Sequence, residues 1–234
     1  MIKVIAFDVF GTVVDWHGSI ARHVDDLKLG VDGSEFASAW RAGYAPAMDK
    51  VRSGKLGWTR IDDLHRQILD EIIDRFGLTM HEQARTELNL IWHRLDPWPD
   101  SVAGLRQLKS AYTICTLSNG NIGLLTDMAK HGGLPWDCIL SAEVFRHYKP
   151  DPQTYLGVCD VFALQPSEML MAAAHKSDLL AAQACGCRTA YIERPDEYGT
   201  SEQARLRKDL TREPAFDYHA RDIQDLAAQL TDKR

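Results

Sequence analysis

The chain has 234 residues, 45% hydrophobic and 26% charged, which is enough to bury a full core in one large domain or two unequal ones. A formal net charge of −6 and a pI near 5.8 give no electrostatic case for nucleic acid or an anionic membrane. No apolar run reaches the roughly 18 residues of a membrane span, and the N-terminal stretch lacks the basic flank and cleavage site of a signal peptide.

The cysteines Cys115, Cys138, Cys159, Cys185 and Cys187 form no C-x-x-C pair, so they read as structural thiols of a reducing compartment. A cytoplasmic protein is expected.

Ile2 to Phe7 is apolar at five of six positions and reads as a strand buried on both faces of a parallel sheet. Asp8 follows where the apolar run ends, the place where open parallel sheets gather ligands. Gly11 permits a tight turn, and Thr12 adds a hydroxyl beside the carboxylate.

Trp16 to about Pro99 shows no convincing strand and four stripes of helical periodicity. They run through Ile20 to Leu27, Phe36 to Met48, Ile61 to Ile72 and Ala84 to Trp92. Asp96-Pro-Trp-Pro-Asp100 ends the helical region, because two prolines one residue apart cannot continue a helix.

A helix over Val102 to about Lys109 leads to a strand, Tyr112 to Leu117, and then the polar run Ser118-Asn119-Gly120-Asn121. Ile139 to Leu140 reads as a short strand, and Pro152 suits the first turn of a helix after Lys149. Met169 to Ala174 is a further buried strand, followed by His175-Lys-Ser-Asp178 and an alanine-rich helix to Gly186.

Arg188 to Glu193 and Phe216 to Tyr218 are the last strand candidates, and Asp222 to Leu230 is a closing amphipathic helix. Residues 195–213 carry alternating charges with few apolar anchors and read as a mobile surface segment. Strands alternating with helices imply a three-layer α/β/α sandwich around a mainly parallel, Rossmann-like sheet.

A strand, Asp8, one residue, then Phe10-Gly11-Thr12 resembles the first motif of the haloacid dehalogenase superfamily. In family order, Ser118-Asn119 resembles its second motif, Lys149 its third, and Asp178 the acid of its fourth. Trp40-Arg41 resembles the family's arginine near the start of an inserted helical cap. The superfamily's phosphatases carry a second aspartate where this chain has Phe10, and a phenyl ring cannot transfer a proton. The branch resembled is that of the L-2-haloacid dehalogenases.

The resemblance implies a HAD-like core over residues 1–15 and 99–234 and a helical cap over 16–98. It implies hydrolysis of short (S)-2-haloalkanoic acids to (R)-2-hydroxyalkanoic acids and halide, through an ester on Asp8 that water then cleaves. Lys149 and Thr12 would support Asp8, and Asp178 would orient or activate the water. Arg41 and Asn119 would cradle the departing halide, and Ser118 would meet the substrate carboxylate.

Phe10 and Trp40 are candidates for an apolar substrate wall, as is Trp58, although helix-spaced aromatics also suit a plain core. Tyr155 matches a family active-site tyrosine or is a buried core tyrosine. Well-known members carry hydroxyls and an amide where this chain reads Ala173-Ala174-His175, so His175 either serves the hydrolytic water or acts as a spacer.

Ala174 stands where a phosphatase would carry the second acid of its magnesium site, so no metal and no other cofactor is expected. The expected partners are the small-molecule 2-haloacid, the halide product and a second copy in a homodimer, with neither nucleic acid nor membrane. Two alternatives stay open: a magnesium-dependent phosphatase with Asp15 replacing the lost acid, and a silent small-carboxylate-binding protein.

Overall fold

The computed structural model describes residues 1–231. β1 (Val4–Phe7) runs into a tight turn and β2 (Val14–Asp15), and α1 (Trp16–Asp26) starts directly after it, capped by Asp15, which accepts from Gly18 N at 2.7 Å. α2 (Gly33–Ala42), α3 (Tyr44–Arg52), α4 (Ile61–Arg75) and α5 (Glu82–Asn89) follow, ending in a 3₁₀ turn at Leu90–Arg94. The second sequence stripe is thus two helices rather than one. Pro46 has no N–H for the Ala42 carbonyl, which breaks the helical ladder at that point.

β3 (Asp96–Pro97) pairs antiparallel with β2, with Val14 opposite Pro97 and Asp15 opposite Asp96. The outgoing and returning strands of the helical insertion are therefore fastened together at its base. α6 (Ser101–Lys109), β4 (Thr113–Ser118), α7 (Ile122–Gly132), β5 (Cys138–Ser141), α8 (Ala142–Phe145) and α9 (Pro152–Val161) come next. The chain closes with β6 (Met169–Ala173), α10 (Lys176–Ala184), β7 (Arg188–Ile192), α11 (Glu202–Arg205), β8 (Tyr218–Ala220) and α12 (Ile223–Thr231).

Six strands form one sheet in the order β5-β4-β1-β6-β7-β8, and every pairing in it is parallel. β1 is central, and all four of its side chains are buried. Ile5 and Phe7 face one layer with Leu105, Leu108, Leu124 and Leu226. Val4 and Ala6 face the other with Tyr155, Val158, Leu179 and Ala182. This period-two division makes the molecule a three-layer α/β/α sandwich, as the alternation of elements implies.

From β1 the chain builds β4 and β5 on one side, then crosses to β6 on the other. The order reverses at β1, and a crevice opens outside its carboxyl end. Asp8, Ser118 and Ala174 all lie at or just beyond those strand ends.

Two strand boundaries differ from the sequence reading. The strand expected at Phe216 to Tyr218 is Tyr218–Ala220, because Asp217 accepts from Thr189 N at 2.9 Å and ends the approach loop before pairing begins. The short strand at Ile139 extends to Cys138–Ser141.

Residues 195–213 are not a simple surface segment. They contain α11, and Glu197 within them is fully buried. Among the described residues, no helix is long and apolar enough to cross a membrane.

Candidate active site

Asp8 continues the ladder one residue past β1, its N–H donating to Ala172 O at 3.0 Å, so its side chain emerges at the mouth of the crevice. The chain then turns tightly: Val13 N donates to Val9 O at 2.9 Å and Gly11 N to Val14 O at 3.0 Å. Gly11 has φ +81°, a left-handed conformation that costs an L-residue strain. A Cβ there would also lie 2.7 Å from the Glu197 carboxyl carbon.

The turn returns Thr12 to Asp8, where its hydroxyl donates to Oδ2 at 2.7 Å and accepts from Ala174 N at 2.9 Å. Lys149 Nζ donates to Asp8 Oδ1 at 2.9 Å and to Asp178 Oδ2 at 2.5 Å. Asn119 accepts from Lys149 N at 2.8 Å through its side-chain oxygen, joining the loops after β4 and β5. Tyr155 donates its hydroxyl proton to Asp178 Oδ1 at 2.5 Å.

His175 Nδ1 is 3.0 Å from Asp8 Oδ2, and its Nε2 is 2.7 Å from Glu197 Oε1. Glu197 also meets the Trp16 indole N–H at 3.3 Å and pairs with Lys208.

Burial alone would push the Asp8 carboxyl up, but Lys149 and then His175 overcome it and hold the acid far below its ordinary value. Burial would likewise strip Lys149 of its proton, yet Asp178 and Asp8 raise it above the ordinary lysine range. Both shifts favour an ionised nucleophile candidate beside a charged lysine.

On the opposite wall, Phe10 packs edge-on against Trp92 at 5.6 Å and Tyr44 at 6.4 Å. The Arg41 guanidinium lies 4.0 Å from the centroid of the Tyr44 ring and 5.6 Å from that of Trp16. Between the walls lies a cavity of about 270 Å³, lined by Asp8, Phe10, Arg41, Tyr44, Met48, Asn119, Lys149, His175 and Asp178 among others.

The structure thus brings Asp8, Phe10, Thr12, Arg41, Asn119, Lys149, His175 and Asp178 together. Four other candidates sit elsewhere. Trp40 is fully buried among the helices, its indole N–H donating to His65 O at 2.9 Å and its ring against Phe36 and Trp92. It is core rather than cavity wall.

Trp58 packs on Tyr148 at 4.9 Å, outside the cavity lining. Tyr155 is also fully buried and reaches the site only through Asp178, so its contact is with that acid rather than with a cavity ligand. Ser118 is buried below the cavity, where its hydroxyl accepts from Gly120 N at 3.1 Å and shapes the turn.

Glu197 and Tyr44 were missed. Tyr44 opens α3 three residues after Arg41, and the break between α2 and α3 hid that proximity from a reading of one continuous stripe. Glu197 had no signal inside its charged run.

A haloacid dehalogenase-like hydrolase family model matches residues 2–186. The (S)-2-haloacid dehalogenase 1 of Pseudomonas sp. (strain CBS-3) is 30% identical over 227 residues, covering 91% of this chain and 95% of that protein. The crystal structure of an L-2-haloacid dehalogenase superposes with a TM-score of 0.93 at 46% identity, covering 98% of this chain and all of the other. A second, of a defluorinating L-2-haloacid dehalogenase, gives a TM-score of 0.93 at 45% identity, covering 98% and 95% of the two chains. With the family model spanning most of its length and the turn from Asp8 to Thr12 in place at the end of β1, this chain belongs to the haloacid dehalogenase-like hydrolases.

Proposed function

We propose that the protein hydrolyses 2-haloalkanoic acids of short chain, taking the (S) enantiomer to the (R)-2-hydroxyalkanoic acid and releasing halide. The observation that carries this reading is Asp8, held by the Lys149 ammonium and the Thr12 hydroxyl and facing a cavity in which Phe10 stands where a proton donor would. Halide leaves as an anion and needs no proton, whereas a phosphoester leaving group does. The names of the relatives support the same chemistry.

Asp8 attacks the halogen-bearing carbon from the face opposite the halogen, which inverts that carbon and leaves an ester. Arg41 makes no ion pair among the described residues, so its charge is available to the departing halide, with Asn119 as the facing amide. Asp178, held by Lys149 and Tyr155, takes a proton from the water that cleaves the ester. Residues 16–98 act as the cap that closes this cavity, with Phe10, Tyr44 and Met48 forming its apolar wall.

No metal is needed. The donor set offers a hard cation two carboxylates, both already paired with Lys149, and Ala174 presents only a methyl group. The phosphatase alternative fares no better with Asp15, whose carboxylate caps α1. A cytoplasmic homodimer completes the reading.

The test is halide release from (S)-2-chloropropionate and fluoroacetate with EDTA present. Metal-independent release from the (S) enantiomer supports the reading. Magnesium-stimulated phosphate release from small phosphoesters without halide release rejects it.

A further inference from the structure

The hydrogen bonds to Asp8 are shared unevenly between its two oxygens. Lys149 donates to Oδ1, whereas the Thr12 hydroxyl and His175 Nδ1 both reach Oδ2, at 2.7 and 3.0 Å. Each carboxylate oxygen has two lone-pair sites. Oδ2 is therefore filled, and Oδ1 keeps one lone pair free to attack. After attack, Oδ2 is the carbonyl oxygen of the ester.

His175 stands between two carboxylates, with Nδ1 on Asp8 and Nε2 on Glu197. A neutral imidazole has one N–H and would aim a lone pair at one of these anions. Both contacts are hydrogen bonds only when the ring carries two protons.

Glu197 is built to remain there. It is fully buried, paired with Lys208, in contact with the Trp16 indole N–H, and seated against Gly11, where any larger residue would collide with it.

Resting on the reading of Asp8 as a covalent nucleophile, we propose that His175 and Thr12 form the oxyanion-stabilising pair for ester hydrolysis. Glu197 is the positioning residue that keeps the His175 ring doubly protonated once Asp8 has lost its charge.

In that step water attacks the Asp8 carboxyl carbon and its proton passes to Asp178. The carbonyl electron pair moves onto Oδ2 and is met by the His175 and Thr12 donors. Collapse breaks the bond from the carboxyl carbon to Oδ1, and the departing alkoxide takes the proton from Asp178. The new Asp8 carboxylic acid then releases a proton to solvent. One hydroxy acid, one halide and one proton leave per turnover, and the product hydroxyl carries the former Oδ1.

The electrostatics agree. Burial works against charge on His175, but Glu197 and Asp8 outweigh it and raise the ring to about 9. Esterification removes the Asp8 contribution and leaves that of Glu197. The other charged groups nearby are Lys149 and Asp178 beyond Asp8, and Lys208 beyond Glu197.

A single-turnover experiment with (S)-2-chloropropionate, following halide and protein mass across pH, separates the two chemical steps. In Glu197→Gln, ester formation should stay within about threefold of wild type, while ester breakdown slows about 30-fold at pH 8, the scale of a weakened oxyanion donor. Its alkaline limb should move down by roughly one pH unit or more, and Glu197→Asp should restore part of the rate.

Unchanged breakdown in Glu197→Gln, or wild-type breakdown that rises with pH as a neutral base would require, overturns the proposal while leaving Asp8 as nucleophile. A wild type that releases no halide rejects the underlying reading and this proposal with it.

Nitrogen-15 NMR of His175 in Asp8→Asn, where the neighbouring charge is gone, needs no turnover. A ring still doubly protonated at pH 7.5 supports the role of Glu197, and a ring titrating at or below its ordinary 6.5 contradicts it.

Discussion

The two walls of the cavity are built on opposite plans. On the sheet side, Asp8, Lys149, Asp178, Thr12 and His175 form one connected network, and each side chain is held by at least two partners. On the helical side, among the described residues, Arg41 has rings but no carboxylate, and the buried His65 behind that wall, stacked on Trp92 at 4.0 Å, has no hydrogen bond on either ring nitrogen. Burial keeps His65 neutral, with its ring held down at about 3. On the proposed reading the difference separates two tasks: the sheet presents a fixed, charged nucleophile, and the helices present an apolar surface on which Arg41, unpaired among the described residues, is left for an anionic ligand.

Substitutions on the two walls should therefore fail differently. The largest effect is expected from Asp8→Asn, which replaces the carboxylate by a neutral, weakly nucleophilic amide and should lower halide release by roughly 10⁴-fold or more while the circular dichroism spectrum is retained. Residual activity within tenfold of wild type would mean that the sheet side does not supply the nucleophile.

Arg41→Ala should cost about 100-fold in kcat, close to 3 kcal/mol, with at most about 1 kcal/mol of fold stability, because among the described residues Arg41 makes no ion pair and is held by ring contacts alone. A stability loss without a rate loss would make it a structural arginine.

The charged wall should also respond to pH. The His175 ring is raised from its ordinary 6.5 to about 9, so its stabilising contribution is complete below 6.5 and is lost as pH rises through 9. Glu197 is lowered from 4.5 to about 2, since His175 and then Lys208 overcome the effect of its burial. Its contribution is present above 4.5 and lost as pH falls toward 2. Urea midpoints should fall between pH 7 and 9.5 in wild type and stay flatter in His175→Asn; equal slopes would remove His175 from the network.

The smallest effect on turnover is expected from Trp40→Phe, which loses the bond to His65 O and some buried area. It should lower stability by about 1–2 kcal/mol and leave kcat/KM within about threefold. A selective rise in KM would return Trp40 to the substrate wall.

These contrasts also explain what could be read from the sequence. Asp8 and Asn119 were legible because each lies where an apolar strand run ends in polar residues, at the edge to which the sheet order draws the strand ends. Thr12, Lys149 and Asp178 were marked by the family resemblance instead, since Lys149 stands before a proline in a loop and Asp178 lies in the first turn of α10.

Trp40 was misplaced because a helix-spaced aromatic has the same local pattern whether it faces core or cavity. Its burial depends on how α2, α4 and the Leu90–Arg94 turn pack. Glu197 was hidden for the opposite reason. A carboxylate in a run of alternating charges looks solvated, and it is buried only because Lys208, His175 and the space over Gly11 converge on it in three dimensions.

A single turnover in heavy-oxygen water, with enzyme in excess over (S)-2-chloropropionate, tests most directly whether Asp8 bonds to substrate carbon. The label should enter the Asp8 carboxylate, and the first hydroxy acid released should carry none of it. Heavy oxygen appearing at once in the product, with Asp8 unlabelled, would show that water attacks the carbon itself.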